Sequence, residues 1–276
     1  SFDPDTDITW PDQLVDDRFC LPEHRVSLYG TELWESLSQQ QRIELSRLEA
    51  GSMAQAGIWF ELILSQLLIR YIYDEDYTSQ HTRWALTEIA DECRHSSMFA
   101  RLATVFDSQS LRPLPRTIAL GRLMKTIADP VEGFAAILIA EELLDTFQRE
   151  MMIDDTIQPL LRDVSRLHVI EEARHVKFAR EELERRVRRL SPWQLRRVRL
   201  IIAIAAAVIT GALVHPDCYR RAGLDPDVAR QAAERNPARR ETLRWAAAKL
   251  VANFDSIGLI GDGAARRIWR RAGLIA

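Results

Sequence analysis

The chain has 276 residues, a net charge of −3 and 47% hydrophobic residues, which is ample material for one large hydrophobic core. Only 11 glycines and 11 prolines, with few β-branched runs, favour a mostly helical protein. The three cysteines are odd in number and lack a Cys-x-x-Cys spacing, which argues against a disulfide framework or a zinc knuckle and for the reducing cytoplasm.

The sequence indicates neither a membrane nor a nucleic-acid partner. No charged-then-apolar leader opens the chain, and its longest uncharged apolar run, 200–214, is shorter than the roughly 20 residues that span a bilayer. Arginines cluster in 185–189 and 196–199. Because the chain is acidic overall and glutamates are interleaved, we interpret these clusters as solvated helix ends rather than a nucleic-acid surface.

The predicted elements are all helical. Residues 1–37 are polar and aromatic with three prolines, and we interpret them as an extended arm packed on the body, a single domain over 38–276. Helical periodicity and start signals such as the capping box of Ser38 and Gln41 predict the helices that follow. They cover about 39–73, 79–106, 116–127, 130–152, 157–190 and 192–214, and Asp225-Pro226 and Asn236-Pro237 open two more.

Two near-identical pentapeptides, 91–95 and 171–175, carry the most specific chemistry. Each places a glutamate three residues before a histidine, as Glu92 with His95 and as Glu172 with His175. This spacing puts both side chains on one face of a helix, where a carboxylate and an imidazole can hold one metal ion. Two such helices facing each other form a two-metal site if two further helices each supply a carboxylate.

Two glutamates in apolar helices are the candidates for those carboxylates. Glu61 lies within an uninterrupted apolar stretch, where an ionised carboxylate costs several kcal/mol unless a cation receives it. In the second helix, Glu141 shares a stripe with Phe134 and Leu144, so we favour it over the adjacent Glu142. The resulting order of Glu, Glu-x-x-His, Glu and Glu-x-x-His is that of ferritin-like di-iron or di-manganese bundles.

A third histidine falls on the same helical stripe. His168 lies four residues before Glu172 and seven before His175. A lone histidine on a helix is more often a satisfied core or surface residue, but this position favours a third imidazole ligand.

Asp91 and Glu171 directly precede the motif glutamates, and two interpretations of them are equally supported. Each could accept a hydrogen bond from the free imidazole nitrogen of the opposite helix, which fixes the tautomer of that histidine. Alternatively, each could form a salt bridge on its own helix, Asp91 with Arg94 and Glu171 with Arg174. Glu88, one turn before Glu92, is interpreted as a polar neighbour.

With these motifs, the chain resembles the non-haem di-iron arylamine N-oxygenases, typified by p-aminobenzoate N-oxygenase of polyketide and nitroaryl antibiotic pathways. The likeness covers most of the chain and rests on the segments 27–30 (Ser-Leu-Tyr-Gly), 59–61 (Trp-Phe-Glu), 91–95, 141–142, 168–175 and 271–274 (Arg-Ala-Gly-Leu). It implies a ferritin-like four-helix bundle with accessory helices. It also implies seven metal ligands, namely Glu61, Glu92, His95, Glu141, His168, Glu172 and His175.

The resemblance further implies two iron ions, O₂ as co-substrate and a small aromatic amine as substrate. We expect an external electron donor, since the sequence has no Gly-x-Gly-x-x-Gly fingerprint, and we expect a homodimer. Several points stay open: a manganese–iron pair uses similar ligands, and the same metals could instead support C-hydroxylation, desaturation or oxidative cleavage of another metabolite. Iron storage is disfavoured because the chain is longer than a shell-forming bundle needs.

Overall fold

The computed structural model describes residues 2–276, which form twelve α-helices and no β-strand. In chain order they are α1 (Pro4–Asp7), α2 (Glu32–Glu35), α3 (Gln39–Ile72), α4 (Gln80–Val105), α5 (Pro115–Ile127), α6 (Pro130–Met151), α7 (Pro159–Val187), α8 (Pro192–Ala212), α9 (Asp217–Arg221), α10 (Pro226–Arg235), α11 (Pro237–Ser256) and α12 (Gly263–Arg271). The all-α prediction is confirmed, and the predicted helices from α3 to α8 begin and end within about three residues of the observed ones.

The four longest bundle helices are α3, α4, α6 and α7. Helix α3 packs along α4, and α6 packs along α7. Each pair is joined by a short loop and is therefore antiparallel. Contacts of α3 with α6 and of α4 with α7 close the arrangement, and α5 connects the two pairs. The result is the ferritin-like bundle that the sequence predicts.

Local sequence signals fix where these helices begin. Ser38 and Gln41 form a capping box at α3, and Ser191 and Gln194 form another at α8. Pro130 occupies the first turn of α6, where its missing N–H leaves no helical hydrogen bond unmade. These caps mark the start of each helix, and the periodicity from that point determines which residues share a face.

The segment 2–37 lies against the bundle and contains short helices, where the sequence predicted only an extended arm. Leu28 and Trp34 are almost completely buried. The backbone N–H of Cys20 donates to Ser46 Oγ of α3 at 2.9 Å, and the N–H of Phe2 donates to Glu171 Oε1 of α7 at 3.0 Å. The segment therefore contributes to the core, while the proposed domain division at 37/38 stays a prediction.

The accessory helices pack mainly around α6. Helix α8 packs against α6 and α12, α11 packs against α6, and α9 packs against α3. Helix α6 is consequently enclosed along nearly its whole length, and 18 of its 22 residues are buried. This burial explains why apolar residues are distributed around most of the circumference of α6.

Two helical stretches are long and apolar enough to span a bilayer. They are α3 and the segment 192–221, which comprises α8 and α9, and their most apolar windows have mean hydropathies of 1.3 and 2.1. Within each window, 44% of the residues are buried in the fold. Core helices of proteins that never enter a membrane pass the same test, so these values assign no membrane association.

Candidate metal centre

All seven predicted ligands lie in one region of the bundle interior. They come from four helices: Glu61 from α3, Glu92 and His95 from α4, Glu141 from α6, and His168, Glu172 and His175 from α7. His175 is the most accessible of the seven at 5%, and the others are at most 2% exposed. The convergence that the sequence predicted is therefore present, while metal binding by these residues stays a prediction.

Glu172 lies at the centre of the group. Its Oε1 is 2.8 Å from His175 Nδ1, 3.3 Å from His95 Nδ1 and 3.9 Å from His168 Nε2. The same carboxylate thus reaches all three imidazoles, on two different helices. A carboxylate so placed could contact two adjacent cations.

The other members surround Glu172 in overlapping sets. Ligand atoms of Glu92, His95 and Glu172 lie within 4.8 Å of one another, as do those of Glu141, His168 and Glu172. Ligand atoms of a third set, Glu61, His95 and His168, also lie within 4.8 Å of one another. Two of these sets share Glu172, which is the pattern that two neighbouring metal positions require.

The choice between Glu141 and Glu142 is made by the opposite helix. Both are 2% exposed, but Glu142 Oε1 accepts a hydrogen bond from Arg180 Nε of α7 at 2.7 Å. Glu141 instead faces the cluster, and its Oε2 has no hydrogen-bond partner among the described residues. Glu141 is therefore the carboxylate available to a cation.

Small residues beside Glu61 make room for an aromatic ring. A Cβ on Gly57 would lie 3.2 Å from the ring of Phe99, and the centroid of that ring is 4.9 Å from the imidazole centroid of His168. Phe99 therefore occupies the space beside Gly57 and packs against the candidate ligand His168, which restricts the rotation of that imidazole.

The two residues that precede the motif glutamates behave differently. Glu171 Oε2 lies 3.1 Å from His95 Nε2 on the opposite helix, in the orienting position that one interpretation predicted. Asp91 forms a salt bridge with Arg94 of its own helix and another at 3.1 Å with Arg174 of α7. Its distance to His175 Nε2 is 3.5 Å, so it acts mainly as an ion-pair partner.

Two orienting residues were not identified from the sequence. Glu88 contacts His175 Nε2 directly, where the sequence suggested only a polar neighbour. Gln148 Oε1 lies 2.8 Å from His168 Nδ1. Gln148 is seven residues after Glu141, and this two-turn spacing on α6 is the signal that could have revealed it. Each imidazole thus presents one nitrogen to the cluster. The other nitrogen is hydrogen-bonded to Glu171 for His95 and to Gln148 for His168, and contacts Glu88 for His175.

Burial and charge repulsion disfavour having all four glutamates of the cluster ionised without a compensating cation. Burial, together with the neighbouring carboxylates of Glu61 and Glu172, raises the pKa of Glu92 and of Glu141 well above the ordinary value. Burial alone would lower the pKa of His95, but contacts with Glu171, Glu172 and Glu92 raise it well above the usual range. Burial and mutual repulsion therefore disfavour the charged forms of Glu92 and Glu141 unless a cation compensates them.

The residues present fit a pair of divalent ions. Four buried carboxylate oxygens of the cluster have no hydrogen-bond partner in the described chain, one each from Glu61, Glu92, Glu141 and Glu172. Such unsatisfied buried groups are rare in folded proteins unless a water or an ion receives them. The four ionised glutamates would carry a charge that two divalent cations balance. A donor set of four carboxylates and three imidazoles suits iron or manganese rather than zinc.

The fold and this cluster define a helical bundle protein with a candidate dinuclear metal centre. The family described as P-aminobenzoate N-oxygenase AurF matches residues 1–258. The chain therefore belongs to this family of di-iron enzymes.

Two mycobacterial relatives of the chain are described as uncharacterized proteins. The chain is 28% identical over 284 residues to the uncharacterized protein Mb0909 of Mycobacterium bovis and, equally, to the uncharacterized protein Rv0885 of Mycobacterium tuberculosis. These alignments cover 98% of this chain and 82% of each relative. They indicate a shared architecture and give no substrate.

Proposed function

We propose that this protein is an O₂-activating di-iron oxygenase that N-oxygenates a small aromatic amine. The observation that carries the proposal is the convergence of four buried glutamates and three buried histidines in a member of the AurF family. The third imidazole, from His168, distinguishes this group from the Glu and Glu-x-x-His set of ordinary ferritin-like bundles.

In this proposal, the seven residues of the cluster hold two iron ions. When bound, the iron pair supplies the reduction of O₂ and the transfer of oxygen. Glu172, whose carboxylate reaches all three imidazoles, would be among the residues that hold the two ions. Glu171, Glu88 and Gln148 keep the imidazoles of His95, His175 and His168 in the required tautomer.

The stoichiometry defines what else the reaction needs. In each oxygenation one oxygen atom of O₂ forms a bond to the amine nitrogen, and the other leaves as water. Two electrons and two protons balance the first step to the hydroxylamine, so an external electron donor takes part. Further rounds would give the nitroso or nitro product.

Burial of the cluster supports this chemistry. Since the seven side chains are at most 5% exposed, bulk water is kept away from the centre. Exclusion of water strengthens electrostatic interactions inside the site and limits side reactions of activated oxygen.

The test combines metal content with product analysis. The purified protein, loaded with Fe(II), is supplied with a reductant, ¹⁸O₂ and a panel of arylamines. We expect two iron ions per chain and products whose new N–O oxygen carries ¹⁸O. Labelled carbon-oxidised products and unchanged amines would favour the C-hydroxylation alternative, and a protein that binds no metal would contradict both. A parallel loading with manganese and iron together tests the mixed pair.

The cellular setting is also proposed. We infer a cytoplasmic homodimer that acts in secondary metabolism, such as antibiotic biosynthesis, on a diffusible small molecule rather than on a nucleic acid or a membrane. Light scattering of the metal-loaded protein tests the oligomeric state. A mass of two chains is expected, and a large shell would indicate storage.

A further inference from the structure

A cavity of about 370 Å³ lies beside the candidate metal centre, between α3, α5, α6 and α8. Its wall is apolar and includes Trp59, Leu67, Met124, Ile137 and Ile201. This volume is at the lower end of the roughly 300–1,000 Å³ typical of small-molecule sites. The cavity is therefore suited to a molecule of one or two rings.

Glu141 joins the cavity to the metal centre. It lines the cavity wall and also belongs to the set that it forms with His168 and Glu172. A molecule inside the cavity can therefore approach the cluster along α6. At the other end, Leu123 and Ile127 of α5 are more than half exposed, so the outer rim of the cavity is apolar as well.

The one cationic side chain of the wall is already paired. Only Glu132, Glu141 and Arg197 among the described lining residues are charged. The guanidinium of Arg197 lies 2.9 Å from Glu132 Oε1 and also contacts Asp129. The one cation of the wall is thus paired with two carboxylates and is not free to receive an anionic substrate.

We propose that this cavity is the substrate site and that it selects uncharged, apolar arylamines over carboxylated ones. The inference rests on the proposed function for the reaction, but its binding preference follows from the wall alone. A substrate carboxylate placed here would lose its hydration without gaining a cationic partner. It would also face a wall with two glutamates and one arginine. The amine nitrogen would point toward Glu141 and the apolar body toward α5 and α8.

The experiment compares two ligands that differ in charge and little else. Methyl 4-aminobenzoate and 4-aminobenzoate share the same ring, amine and carbonyl group. Calorimetric titration of the metal-loaded protein without reductant measures binding independently of turnover. We expect the ester to bind about a hundredfold more tightly than the acid, the size of effect that an unpaired buried charge produces. Equal affinities, or a preference for the acid, would overturn the proposal.

Matched variants test whether the cavity is where the ester binds. Ala205 of α8 lines the cavity, whereas Ala207 of the same helix is similarly half-buried and does not. Ala205→Phe should fill part of the space and weaken ester binding about tenfold or more, while Ala207→Phe should leave it within about twofold. If both variants bind the ester as the wild type does, this cavity is not the site.

Arg197 provides a separate check on charge selection. In Arg197→Gln the ester should still bind more tightly than the acid, because in the wild type the guanidinium is engaged by Glu132 and Asp129 and gives the acid no cationic partner. Tight binding of 4-aminobenzoate that this variant abolishes would overturn the proposal. Because all these readouts are equilibrium titrations, a protein that binds the ester selectively and forms no N–O product would refute the proposed reaction and leave the binding preference intact.

Discussion

Glu141 and Glu142 are consecutive residues of α6 whose carboxylates are committed to different surroundings. Glu142 is held by the guanidinium of Arg180, with an Nε to Oε1 distance of 2.7 Å, while Glu141 faces the metal cluster with one oxygen unpartnered. Adjacent residues of an α-helix point about 100° apart. Although the two side chains are equally buried, they face different partners. Substituting each one in turn therefore distinguishes a role in metal binding from a role in an ion pair.

We predict that Glu141→Gln loses metal and that Glu142→Gln does not. The first change removes a negatively charged ligand, so we expect fewer than two iron ions per chain and loss of most activity. The second retains a hydrogen-bond acceptor for Arg180 and should cost about 1–3 kcal/mol of stability, because a buried charged pair is weakened. Metal analysis and thermal unfolding measure the two effects. Full metal content in Glu141→Gln would contradict the ligand assignment.

Glu88 should control metal affinity without being a ligand. Its carboxylate contacts His175 Nε2, and loss of such an orienting partner typically reduces metal affinity by about 10–100-fold. We expect this decrease for Glu88→Gln, measured by competition with a chromogenic chelator. Glu181→Gln, at an exposed position on α7, is the matched control and should keep the wild-type affinity.

Metal binding should release protons. Burial and neighbouring carboxylates raise the pKa of Glu92 and Glu141 in the metal-free protein, whereas a ligand carboxylate must be ionised. We therefore expect metal affinity to increase as the pH rises from 5 toward 8. For each proton that the metal displaces, the affinity should increase on the order of tenfold for every pH unit. Calorimetric titrations in buffers of different ionisation enthalpy count the protons. Affinity that is independent of pH would show that the carboxylates are already ionised without metal.

Glu49, a buried glutamate that is not among the proposed ligands, makes folding stability depend on pH. Glu49 is 1% exposed, and burial raises its pKa from 4.5 to about 7 despite hydrogen bonds from the backbone N–H of Ser27 and its hydroxyl. The folded state therefore holds the Glu49 proton more tightly than the unfolded state does. Stability from this group is fully present below pH 4.5 and is lost as the pH rises through about 7.

Glu49→Gln isolates this contribution because it keeps a hydrogen-bonding side chain that cannot ionise. Relative to the wild type, we expect the variant to gain stability between pH 4.5 and 7, by up to about 3 kcal/mol. Urea unfolding of the metal-free protein at several pH values measures the difference. A constant difference over this range would mean that Glu49 is ionised throughout.

Two helical glycines should respond in opposite directions to alanine. A Cβ on Gly51 of α3 would overlap the side chain of Ser108, whereas a Cβ on Gly211 of α8 meets no atom within 4 Å. Gly51→Ala should destabilise the protein by about 1–3 kcal/mol through overpacking, and Gly211→Ala should stabilise it by about 0.5–1 kcal/mol through helix propensity. Thermal unfolding distinguishes the two, and equal shifts would contradict the close approach at Gly51.

The sequence predicted the helices and the ligand candidates because both depend on local periodicity. The spacing of Glu92 and His95, repeated in Glu172 and His175, requires only that each segment be helical, and the capping signals indicate where helices begin. Glu61 was recognisable since a carboxylate in an apolar helix needs a compensating group. Helical spacing and capping depend only on residues a few positions apart in the chain, so the sequence alone reveals them.

Contacts between helices were decided only by the tertiary structure. The pairing of Glu142 with Arg180, of His168 with Gln148 and of Arg174 with Asp91 depends on how α4, α6 and α7 are rotated against one another. The apolar cavity likewise exists only where α5 and α8 meet the bundle. Helical periodicity determines which residues share a face, but packing of side chains across helices determines what each face meets. The sequence therefore determined the chemistry available to this protein, and the tertiary structure decided which groups orient the cluster and where a substrate can enter.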